Sequence, residues 1–180
     1  MARTIMFFIP IISKTIKILR SQGTPNQVAI GFVLGMMMAF IPLWTLQHLL
    51  ILLVLIIFNI NFGAFLLSLT IFKGVALLID PLLHSLGYWL LVGTSGLFPF
   101  WVWMYNLPVL PFTFFNNTVT MGGSVVSLLL LLPMFYLMRW VVFNYREKID
   151  PKIEKLKIVK IIKSSKIYSI YSTAKNWRES

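Results

Sequence analysis

No cysteine occurs in the 180 residues, and the only two histidines, His48 and His84, stand in separate apolar segments. The first absence removes any disulfide framework or thiolate metal site. The second removes the three-histidine ligand set of a catalytic zinc. Phosphate-binding glycine loops, dinucleotide fingerprints and HExxH pairs are missing as well. Charge is scarce: Asp, Glu, Lys and Arg make up 12% of the chain, against roughly a quarter in soluble domains. That deficit is concentrated in the middle, because Lys73 and Asp80 are the only formal charges from Ser21 to Met138. No catalytic residue set, metal site or cofactor motif emerges.

What is abundant is hydrocarbon. The chain is 58% hydrophobic with a mean hydropathy of +0.85. Charge-free apolar runs of ~18 residues or more read as membrane spans, since ~20 helical residues match ~30 Å of hydrocarbon. The expected fold is therefore an all-α integral membrane protein. Its parts are an N-terminal interfacial helix, broken or re-entrant membrane helices, one clean C-terminal span and a basic cytoplasmic tail.

The segment 1–22 separates at 100° per residue into an apolar side (Ile5, Phe8, Ile9, Ile12, Ile16, Leu19) and a polar side (Ser13, Lys14, Lys17, Arg20). Such a pattern suits a helix lying flat in the membrane interface. Gly23 and Pro25 then break the chain. The membrane domain is expected over 23–143, with hydrophobic blocks at 28–58, 62–92 and 119–138. The first two blocks are each too long for one upright crossing and too short for two. Pro42 and Pro81 interrupt them, so each reads as a bent helix or a re-entrant hairpin. They also share a proline, leucines and a histidine, the outline of an internal repeat. Segment 93–118 holds three prolines and eight aromatic residues without a charge. It reads as a non-cytoplasmic loop anchored by Trp101, Trp103 and Tyr105. The tail, 144–180, follows Arg139, and from that arginine onward eleven Lys/Arg face four Asp/Glu.

Lys and Arg accumulate on the cytoplasmic side, which places both termini there in a multi-pass protein of the inner membrane. An odd number of crossings must then lie between Asn26 and Val92. One block crosses once while the other dips in and returns, or only one of their four arms fails to span. The tail lysines lack an aromatic platform, so nucleic acid is not an expected partner.

On one continuous helix Lys73, Asp80 and His84 share a face, with Lys73 and Asp80 ~10.5 Å apart along the axis. They read either as a polar site beside a helix break, as in transporters, or as a pair that fixes helix register. Gln47 and His48 make a second polar cluster behind Pro42. Gly31, Gly35 and Ala39, four apart, form a small-residue stripe that brings helices close, within the chain or across a homo-oligomer.

The stretch TPNQVAIGFVLGMMMAFIPLWTLQHLLILLVLIIFNINFGAFLLS resembles a family of small, uncharacterised bacterial inner-membrane proteins, grouped only as a domain of unknown function. The shared pattern falls here on Pro25, Ala29, Gly31, Gly35, Pro42, Gln47 and Asn61, within a likeness covering about Gln22 to Val92. Many family members carry Asn-Pro where this chain has Asp80-Pro81, so no role for Asp80 comes with the resemblance. The resemblance implies a domain that stands alone or is attached to glycosyltransferases. It also implies a stand-alone subgroup encoded beside a large envelope protein. The expected function is a non-enzymatic accessory of envelope lipid transport, with membrane lipids and a large envelope protein as partners. The alternative is a membrane enzyme or anchor acting on lipid-linked glycan.

Overall fold

The computed structural model describes residues 23–42 and 44–149. The interfacial helix expected over 1–22 and the tail beyond 149 lie outside the described residues. Two compact units divide the chain, Met1–Val142 and Phe143–Ser180. Of the second, the described residues are the end of the last helix and a π-helical turn, Tyr145–Ile149.

The described residues are helical throughout, without strands. Helix α1 spans Pro25–Phe40. Its start is fixed by a capping box: Gln27 N–H donates to Thr24 Oγ1 at 3.2 Å, and Thr24 N–H donates to Gln27 Oε1 at 2.8 Å. Pro25 occupies the first turn, where its missing donor costs nothing. Pro42 ends the helix, and α2 follows at Leu46–Ile57. Asn59, at φ 47°, turns the chain into α3, Phe62–Tyr88, and Asn61 Oδ1 caps α3 by accepting from Ala64 N–H at 2.9 Å. A π-helical turn, Trp89–Gly93, prolongs α3.

The aromatic segment is short helical pieces, including α4 at Phe98–Tyr105 and a 3₁₀ turn at Leu110–Thr113. Helix α5, Thr118–Asn144, begins on a cap from Asn117, whose Oδ1 accepts from Thr120 N–H at 3.0 Å. It outruns the expected 119–138 at its C-terminal end because no breaker follows Met138.

Pro81 corrects an expectation. It lies inside α3 and does not divide it. The Leu77 carbonyl loses its donor there, while Ala76 and Leu83 are buried on either side. The repeat falls with it, since the first block is a pair of helices and the second is one.

Helix α1 is the centre of the unit. Val33, Met36 and Phe40 meet Phe72 and Ala76 of α3 and Val126, Leu130 and Met134 of α5. On its other flank Leu34 and Met38 pack with Ile51 and Leu55 of α2 and Phe65 of α3. The stretches Phe62–Gly93 and Thr118–Glu147, of 32 and 30 residues, are long and apolar enough to cross a membrane. Only 28% and 17% of their most apolar windows are buried inside the chain, so neither is mostly covered as a soluble core helix is.

Candidate functional site

A helix that stops at Phe40 leaves its last carbonyls without intrahelical donors, and side chains from elsewhere attend to them. Lys73, half-buried on α3, brings Nζ to 3.4 Å from the Ala39 carbonyl oxygen. That is long for a hydrogen bond, so attraction to the negative end of the α1 dipole carries much of the contact. The same charge bears on the ring of His48. His48 is 7% exposed, and its Nδ1 lies 2.9 Å from Thr45 Oγ1, the hydroxyl that would otherwise cap α2.

Gln47 Nε2 donates to the Thr113 carbonyl at 3.0 Å, tying the bend to the aromatic segment. His48 Nε2 and Gln47 Oε1 are buried with no hydrogen-bond partner among the described residues. Trp44 projects from the same bend, 91% exposed at φ 70°, a conformation that strains a bulky residue. Lys73, Thr45 and His48 thus make a polar cluster where α1 gives way to α2, and Gln47 ties the same bend to the aromatic segment.

The other polar residues of α3 go elsewhere. His84 Nδ1 stands 2.6 Å from Thr118 Oγ1 at the start of α5. Asp80 makes no hydrogen bond or ion pair among the described residues, and Lys73 reaches Ala39 instead. The face shared by Lys73, Asp80 and His84 is therefore divided between the end of α1 and the start of α5. Among the described residues no group of three His, Cys, Asp or Glu could hold a metal ion.

Gly31 and Gly35 lie against α3 of the same chain. A Cβ at Gly31 would come within 2.5 Å of the Asn61 carbonyl oxygen, and one at Gly35 would strike the Phe65 carbonyl. Ala39, at 1% exposure, continues the stripe. Sequence reading missed a second close crossing, where Gly87 meets Thr118 and Gly122 meets Leu83, with Gly123 against Phe40. Its signal was available: Thr120, Gly122, Gly123, Ser124 and Ser127 gather small residues on the start of the last apolar block, and small residues let helices approach closely.

Fold and site together define an all-helical protein with two helices fit to cross a membrane and a polar bend beside the first. The chain belongs to the family described as "Uncharacterized protein conserved in bacteria (DUF2062)", which matches residues 10–149. An uncharacterised protein of Treponema pallidum (strain Nichols) is 31% identical over 147 residues, 82% of this chain and 90% of that one. No solved structure matches.

Proposed function

We propose that this chain is a non-enzymatic accessory of lipid transport in the bacterial cell envelope, held in the inner membrane and working with a larger envelope protein. Helices α3 and α5 cross the bilayer, and α1 with α2 forms a re-entrant hairpin. The observation that carries the reading is the bend at Pro42. Its helices have 16 and 12 residues, ~24 and ~18 Å, both short of ~30 Å of hydrocarbon. Lys73 stands eleven residues along from Phe62, ~17 Å into the span. The polar cluster then lies near mid-membrane, where transporters set the ends of broken helices.

Two measurements test the reading. Deleting the gene should change the distribution of lipid between the envelope membranes and raise permeability to apolar compounds. Unchanged lipid distribution and permeability would remove the transport role, and a modified lipid made by the purified protein would replace it with an enzyme.

Topology is the second. The absence of cysteine lets single cysteines at Ser13, Gly96 and Ser172 report sidedness directly. With the outer membrane permeabilised, an impermeant thiol reagent should label the Gly96 variant in intact cells and the other two only after lysis. Labelling of Ser13→Cys or Ser172→Cys in intact cells overturns cytoplasmic termini.

A further inference from the structure

Beyond the end of α3, α4 and the loop ahead of α5 form an open cleft of about 300 Å³. That is the small end of the range for ligand clefts, ~300–1,000 Å³. Phe98, Trp101, Tyr105 and Phe115 line it with rings, and Asn106 and Asn116 bring amides to it. The rings are braced. Trp101 Nε1 donates to the Leu90 carbonyl at 3.0 Å, and the buried Phe115 ring lies 6.2 Å from Trp101 and 6.4 Å from Tyr105.

The amides have capacity to spare. Asn106 Nδ2 donates to the Val102 carbonyl at 2.9 Å, which leaves Oδ1 as an acceptor. Asn116 is exposed and makes no hydrogen bond among the described residues. A side-chain amide offers both donors and an acceptor, which matches hydroxyl groups that do the same.

Charge narrows the ligand further. From Pro81 to Met138 the chain has no Asp, Glu, Lys or Arg. A phosphate or carboxylate would find no cation among the described residues lining the cleft to make the charge-assisted bonds that hold such groups. A sugar joined to lipid through phosphate is disfavoured for the same reason. A bare hydrocarbon chain would cover two amides without giving them partners, which is costly. An uncharged ring with apolar C–H faces and a rim of hydroxyls satisfies both linings.

We propose that this cleft binds the sugar ring of an uncharged glycolipid, of the glycosyl-diacylglycerol type, presented from the adjoining membrane surface. The proposal stands apart from the transport reading and needs only that the chain lies in a membrane.

The test is native mass spectrometry of the full chain in a detergent without a sugar headgroup. Synthetic glucosyl diacylglycerol, diacylglycerol and phosphatidylglycerol are added singly. Glucosyl diacylglycerol should be retained at least about tenfold better than either, a difference of about 1.4 kcal/mol. The double variant Asn106→Leu with Asn116→Leu should lose that preference while keeping the parent's melting temperature. If that variant does not fold, Tyr105→Ala takes its place and should weaken retention of the glycolipid alone. Equal retention of phosphatidylglycerol overturns the charge argument. Equal retention of diacylglycerol leaves an acyl groove and no sugar site. A preference that survives the substitutions moves the site elsewhere and sinks the proposal.

Discussion

Replacing Gly122 with leucine is expected to leave no folded protein, while Gly74→Ala accumulates like the parent. A Cβ at Gly122 would strike the Leu83 carbonyl, and one at Gly87 would strike the Thr118 carbonyl. Both obstacles are backbone, so no rotamer change relieves them and the two helices must move apart. Overpacking a core by a few methylenes costs ~1–3 kcal/mol when side chains can give way. Here the crossing itself has to open, and the contacts of Val126, Leu130 and Met134 with α1 open with it. Against a total stability of ~5–15 kcal/mol, that loss is enough to expose the chain to proteolysis. Gly74 has nothing within 4 Å of an added Cβ. There alanine should gain ~0.5–1 kcal/mol from helix propensity. Membrane abundance and thermal melting in detergent decide the matter. A Gly122→Leu protein with the parent's melting curve would mean that α3 and α5 do not cross there.

The contrast between the two glycine crossings shows what the sequence discloses. Gly31, Gly35 and Ala39 announce close packing through their spacing, yet not its partner. That partner, Asn61 to Leu69, becomes visible only once the chain has turned back at Phe58–Asn61. The second crossing lacks a regular repeat on α3, where Leu83 and Gly87 are one turn apart and only one of them is small. Periodicity therefore had nothing to count. Prolines divide in the same way. Pro42 ends a helix because the chain beyond Ile41 turns back on itself, whereas Pro81 sits in a helix with buried neighbours on both sides. The local chemistry of the two prolines is identical, and tertiary packing decides between them. The angular arithmetic for Lys73, Asp80 and His84 places them on one face without saying that two different helices border it. Which acceptor Lys73 finds depends on where α1 stops, a long-range fact.

That acceptor sets the second large effect. Lys73→Met should destabilise the protein by ~1–3 kcal/mol, the cost of leaving a buried carbonyl without a donor. Loss of the cation from the C-terminal end of the α1 dipole adds ~0.3–1 kcal/mol. At 3.4 Å from Ala39 the hydrogen bond is long, which puts its loss at the lower end of that range, and Lys73→Arg, which keeps both the charge and a donor, should retain most of the stability. Asp80→Leu should act on its own, because Asp80 makes no ion pair with Lys73 among the described residues. Unfolding of the four proteins in mixed micelles completes a double-mutant cycle. Independent sites add to within ~0.3–0.5 kcal/mol, and that additivity is the expected result. A cysteine replacing the buried Ile41 gives a separate readout, since an unlatched bend should expose it and raise its reactivity in Lys73→Met and not in Asp80→Leu. Rescue of Lys73→Met by Asp80→Leu, with a coupling well above the additive range, would show that the two charges meet after all. The contact between Lys73 and the Ala39 carbonyl would then not be what holds the end of α1.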